Sequence, residues 1–217
     1  MIPNRLFRAT PVTARDRLLE AGVKLIREQG FAATSVEQLC KAAGVTKGGF
    51  FHHFASKEAL GVALVEYWSA STGGFFAEAP FHHHKHALDR VLGYIDLRAA
   101  LLAGPPEAFS CVAGTMLQES FRSSDAIRRA CEDSIMGNAR AVEPDIAEAM
   151  AEAGVTGTSA ASLSRHIQAV LQGSFILAKT QPPAVAAAMA QEAIAHLRRY
   201  IELLFNPGAK ENPPCPA

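Results

Sequence analysis

The stretch 35-SVEQLCKAAGVTKGGFFHHF-54 decides how the chain is read. Ser35 is a helix N-cap type, and Gln38 stands at the reciprocal position of a capping box. Val36, Leu39, Cys40 and Ala43 recur at helical spacing, which gives this helix one apolar face. Gly44 can take the positive φ that a tight turn requires. Thr46 then caps a second short helix that begins polar and basic, Lys47-Gly48-Gly49, and ends aromatic. Two glycines weaken that helix by roughly 2 kcal/mol relative to alanine, so Phe50 and Phe54 must anchor it to a core. In return, no side chain keeps the backbone from a phosphate, and N–H groups at a helix start attract one. A supporting helix, a turn and an outward second helix form a helix-turn-helix, whose second helix fits the DNA major groove.

The flanking sequence continues in helices. Thr13 caps a first helix with Asp16 three residues on, and Leu18, Ala21, Leu25 and Ile26 form its buried stripe before Gly30. Ser56 caps a fourth helix carrying Leu60, Ala63, Leu64 and Tyr67, expected to end at Gly73-Gly74. A His-rich stretch leads into a fifth through Leu88, Val91, Leu92 and Ile95. Gly104-Pro105-Pro106 is a break. Further helices are expected near 107–121, 124–153, 159–179 and 184–205, with Pro144 kinking or interrupting the second of these. The first ten residues read as a basic arm with Arg5 and Arg8, and the proline-rich 207–217 as a disordered tail. No segment has strand periodicity and no repeat is present. The expectation is an all-α fold in three parts: arm and DNA-binding head 1–55, helical effector-binding and dimerisation body 56–206, and tail 207–217.

Composition agrees. Of 217 residues 49% are hydrophobic and 19% charged, a globular rather than disordered balance. Net charge is zero, yet residues 1–60 hold nine Lys/Arg against five Asp/Glu, and the remainder twelve against sixteen. A basic head on an acidic body confines any polyanion contact to the head. Cys40, Cys111, Cys131 and Cys215 form no CxxC pair, as suits a reducing compartment. The start lacks a signal-peptide core, and no apolar run is long enough to span a bilayer. A cytoplasmic protein without a membrane partner is expected.

With these residues in view, the segment from Thr13 to Leu64 resembles the TetR family of bacterial regulators. The resemblance rests on Gly30-Phe31, on Thr34-Ser35-Val36, on Ala43-Gly44-Val45-Thr46-Lys47-Gly48 and on Phe54-x-Ser56-Lys57-Glu58-x-Leu60. It implies that Ser35 contacts a phosphate and that Thr46, Lys47, Gly48 and Gly49 lie over base edges and backbone. His52 and His53 would meet backbone or bases, and Lys57 a phosphate. Two positions depart from the pattern. The family often has Ser or Thr where Gly49 stands, and usually Tyr where Phe51 stands, so neither residue offers a hydroxyl. Lys47 then carries more of the direct readout, where a good pair with guanine is worth ~1–3 kcal/mol.

The resemblance further implies a homodimer and a ligand pocket. Ile167, Val170 and Leu171 with Ile194, Leu197, Ile201 and Leu204 make the expected dimer stripes. Phe109, Cys111, Met116, Leu117, Phe121, Ile135, Asn138, Phe175 and Leu177 are the candidate pocket walls. The implied function is a repressor released from a palindromic double-stranded operator by a small-molecule effector, with no cofactor. Two alternatives stand beside it. Cys111, near the start of a middle helix, has the setting of a reactive thiol and would serve redox or electrophile sensing. The run His82-His83-His84-Lys85-His86 would place His82 and His86 on one face if helical, the basis for a metal-dependent enzyme. No paired carboxylate, nucleophile elbow or phosphate-cradling loop supports an enzyme.

Overall fold

The structure is a computed structural model that describes residues 13–206; the expected basic arm, the tail and Cys215 lie outside them. The described chain is helical throughout, with no strand. Helix α1 spans Ala14–Gln29, α2 Val36–Ala43, α3 Lys47–His53 and α4 Lys57–Ala77. A 3-10 turn at Pro80–His83 precedes α5, Ala87–Ala100; then come α6, Pro106–Phe109, and α7, Val112–Ser120. The last three are α8, Asp125–Ala153, α9, Ala160–Ala178, and α10, Pro183–Phe205.

The caps explain the first four starts. The Thr13 side chain accepts from the Asp16 N–H at 3.1 Å, while the Asp16 carboxylate accepts from Thr13. Ser35 and Gln38 make the same reciprocal pair. Thr46 and Ser56 each accept one N–H of the helix that follows. Each cap satisfies a donor that the first helical turn leaves without an internal partner.

Packing divides the chain into two units. One gathers residues through Ala79 with Gly104–Asn138; the other gathers Pro80–Ala103 with Ala139 onward. The core of the first contains Leu18, Leu19, Ile26, Leu39, Phe50, Leu60, Leu64, Trp68, Met116 and Ile127. Helix α1 is its hub, packed against α2, α3, α4, α6 and α7. In the second unit α10 packs along α9 and α5. Here Arg90 is held by Asp145 at 2.7 Å and by Glu148, and the Gln168 amide donates to the Tyr94 hydroxyl at 3.2 Å.

Four expectations are corrected. Helix α4 runs through Gly73-Gly74 to Ala77, carrying the half-buried Phe75 and Phe76 beyond the glycines; the glycines weaken that turn without ending the helix. The expected helix 107–121 is two, since Ser110 is extended and Cys111 becomes the cap of α7. Pro144 lies inside α8 without interrupting it; the long helix survives the missing donor. His82 falls in the 3-10 turn and His86 at the N-cap of α5, so they do not share a helical face.

Candidate nucleic-acid interface

The first three helices hold one short helix outward. Gly44 at the end of α2 has φ 62°, the left-handed turn that only glycine adopts without strain, and its N–H reaches back to the Cys40 and Lys41 carbonyls. Arg17 of α1 donates to the Ala43 carbonyl at 3.0 Å and pins the same end. Helix α3 leaves this turn from Thr46, whose hydroxyl oxygen accepts the Gly49 N–H at 3.0 Å. Phe50 is fully buried, 5.9 Å from the Phe54 ring, and Arg15 stands over that second ring. The aromatic anchors therefore fix one side of α3 while the other faces solvent.

On the open side Thr46, Lys47, Gly48, Phe51 and His52 are exposed, and Gly49 and His53 half-buried. Lys47 Nζ donates to Glu37 Oε1 at 2.9 Å. That bond and the opposite charge raise the lysine pKa and hold the Glu37 carboxyl below its ordinary 4.5. A Cβ on Gly49 would lie 2.9 Å from Val45 Cγ1. Close packing of α3 onto Val45 is thus the local reason that a glycine stands there. Phe51 keeps half its surface in water and its edge against Phe50, 5.2 Å between centroids.

The two phosphate candidates flank this surface. Ser35, half-buried, accepts the Gln38 N–H, and its hydroxyl also hydrogen-bonds the Glu37 carboxylate. Lys57, also half-buried, donates to the Ala32 carbonyl at 3.3 Å and stands 4.5 Å over the Phe31 ring; burial lowers its pKa. The Ala32 N–H in turn donates to the Glu119 carboxylate of α7 at 2.8 Å. Sequence reasoning passed over Glu37, Arg17 and Glu119. The spacing of Glu37 and Lys47 across a glycine turn is a signal that could have found the first; the other two act across long sequence separations that no local pattern encodes.

The remaining candidates are scattered. In the first unit Phe109 and Met116 are buried, Cys111, Leu117, Ile135 and Asn138 half-buried, and Phe121 is exposed. In the second Phe175 is buried and Leu177 exposed. Cys111 Sγ accepts the Gly114 N–H at 3.4 Å, and burial pushes the Cys131 thiol up to about 12. Ile167, Leu171, Ile194, Leu197 and Ile201 are all buried within the chain's own helices, and Val170 and Leu204 are half-buried. A side chain with no free surface adds no area to a further interface, so of this set only Val170 and Leu204 keep surface that a partner could cover. Ile176, Tyr200 and Leu203 are apolar and exposed there. Among the described residues no three His, Cys, Asp or Glu side chains are grouped to hold a metal, and no helix is long and apolar enough to cross a membrane.

Comparison with known proteins points one way. Residues 18–64 match the model of the bacterial regulatory proteins of the tetR family. Over 80 residues the chain is 38% identical to the HTH-type transcriptional repressor NemR of Escherichia coli K12, a match covering 37% of this chain and 40% of that one. It is 27% identical over 117 residues to the transcriptional regulator AcuR of Cereibacter sphaeroides, covering 54% and 53%. The matched stretch thus spans about 40% and 53% of these relatives. The fold extends further. A TetR transcriptional regulator from Chloroflexus aurantiacus superposes with a TM-score of 0.74 at 25% identity, over 87% of this chain and 93% of the other. Reduced NemR does so with 0.71 at 24%, over 86% and 96%.

Proposed function

Since the chain belongs to the TetR family of bacterial transcriptional regulators, we propose that it is a homodimeric repressor that reads a palindromic operator and leaves it when a small effector binds. The family consists of regulators and not enzymes, and the metal-dependent alternative falls with that. One observation carries the reading: α3 is anchored by the fully buried Phe50 and turns Thr46, Lys47, Gly48 and His52 to solvent. Rigid support behind an exposed, basic, small-residue edge is what entry into a major groove needs. In this proposal Lys47 reads bases, Ser35 and Lys57 hold phosphates, and His52 and His53 meet backbone or bases. The head is 1–55, the effector and dimer body 56–206, and the protein works in the cytoplasm.

Two heads must be held at a fixed spacing to read a palindrome. The exposed Ile176, Tyr200 and Leu203 on α9 and α10 support dimerisation through these helices. The effector acts by binding the two dimer geometries unequally, since equal affinity would shift nothing. A gel shift of the full chain against its own upstream DNA tests the whole reading. A salt-sensitive, sequence-specific complex is expected; its absence over a range of salt would discard the proposal.

A second reading has one favourable observation. Cys111 is half-buried, and its sulfur sits at the N-cap of α7, where it accepts the Gly114 N–H at 3.4 Å. Cys131 is buried and held protonated up to about 12. If Cys111 senses oxidants or electrophiles, mild oxidation releases DNA in the native chain and not in Cys111→Ser; equal release in both rejects it.

A further inference from the structure

Arg27 stands in the last turn of α1, the helix that packs against α6 and α7. Its guanidinium lies over the Trp68 ring at 5.3 Å. Burial lowers its pKa to about 10, with Cys111 and Glu107 acting in the opposite sense through space. It therefore remains a cation at neutral pH although much of its hydration is gone. Nε and Nη2 are both buried and have no hydrogen-bond partner among the described residues. Buried ions that serve only the fold are normally paired and hydrogen-bonded. Glu107, the neighbouring carboxylate, is exposed and makes no ion pair with Arg27 among the described residues.

The identity of the two unsatisfied atoms is informative. The Nε–H and the adjacent Nη2–H point from one edge of the guanidinium plane, the fork that meets both oxygens of a carboxylate. We propose that this edge of Arg27 binds the carboxylate of a small organic monoanion, with Trp68 backing the guanidinium and Cys111 at the margin. Trp68 supplies an apolar wall, which suits an organic ion. Glu107 adds negative charge nearby, which disfavours a dianion such as phosphate. The inference deepens the proposed function by naming the effector's class, and it rests on that reading only for the effect on DNA. The route to the α2 cap is short: α7, against which α1 packs, also carries Glu119, which holds the Ala32 N–H ahead of Ser35.

Trp68 is the only tryptophan of the chain, so its fluorescence reports on this site alone. The full chain is titrated with sodium formate, acetate and butyrate, and with phosphate and chloride, at constant ionic strength. Thermal melting is followed in parallel. A saturable fluorescence change and a rise in Tm are expected with at least one carboxylate in the native chain. The response should weaken tenfold or more in Arg27→Lys, which keeps the charge and loses the fork, and vanish in Arg27→Met. Without anion, Arg27→Met should melt no lower than the native chain, because the substitution removes an uncompensated buried charge. Three results overturn the site: no saturable change with any carboxylate, an equal change in the Arg27 variants, or an equal change with phosphate and chloride, which would mark an adventitious ion only. Should Arg27→Met not fold, the Arg27→Lys titration decides. A carboxylate that binds but leaves the DNA complex intact upholds the site and removes effector release; one that does both, only when Arg27 is present, upholds both.

Discussion

Lys47 Nζ donates to Glu37 Oε1 at 2.9 Å, yet about two thirds of each side chain stays in water, 64% and 67%. The pair joins α2 to α3 across the glycine turn. Its stability value is small, because exposed pairs are screened. Its consequence for recognition is larger: the cation that would enter the groove has a carboxylate on its flank before DNA arrives.

Lys47→Ala is expected to weaken specific binding, with a loss of ~1–3 kcal/mol in discrimination. Glu37→Gln should act in the opposite direction. With the carboxylate gone, affinity for any duplex rises, and the ratio of specific to non-specific binding falls. Gel shifts on operator and on scrambled DNA over a salt series would separate the two effects. A Glu37→Gln variant that binds scrambled DNA no better than the native chain would contradict this assignment.

The two adjacent glycines of α3 should behave differently. A Cβ on Gly48 meets nothing closer than Thr46 Oγ1 at 4.0 Å, while one on Gly49 meets Val45 Cγ1 at 2.9 Å. Gly48→Ala is expected to stabilise the chain by about 1 kcal/mol from helix propensity. Gly49→Ala should gain less or nothing, since Val45 must shift to admit it. Denaturant melts of both variants check the difference, and an equal gain would show that Val45 moves freely.

Dimerisation should depend on the exposed residues of α10 rather than its buried stripe. Tyr200→Asp and Leu203→Asp are expected to give folded monomers by light scattering, with native helix content and weakened operator binding. Ile201→Asp places an unpaired charge where only 1% of the residue is exposed; it should unfold the chain outright. If Tyr200→Asp and Leu203→Asp remain dimeric, the interface lies elsewhere.

Acid should loosen the head. The Lys47 hydrogen bond lowers the Glu37 pKa below 4.5. A depressed folded-state value means that the contribution is complete above the ordinary pKa and is lost as pH falls through the lower, folded one. In low salt the Tm gap between the native chain and Glu37→Gln should be present near about pH 6 and close near about pH 3. A gap unchanged across that range would mean the pair adds nothing to stability.

Much of the head was legible because its signals are local. Thr13, Ser35, Thr46 and Ser56 each cap the helix that starts beside them, and a cap depends on only three or four neighbouring residues. Gly44 announced its turn for the same reason. Gly73-Gly74 and Pro144 misled, because a breaker acts on one turn while the helix around it is held by burial along its whole length. The apolar stripes of α9 and α10 were real, but a stripe says that a face is buried and not by which surface. Five of the seven residues expected between protomers are spent inside one chain.

Sequence by itself determined the helical class, the caps, the turn at Gly44 and the basic edge at Lys47, since each follows from the conformational preferences of a few adjacent residues. Only the tertiary structure decided that Glu37 flanks Lys47, that Glu119 holds the loop ahead of α2, and that Arg27 lies over Trp68 with two donors unmet. These depend on which helices meet, and the free energy of that meeting belongs to the whole packed core rather than to any segment of the chain.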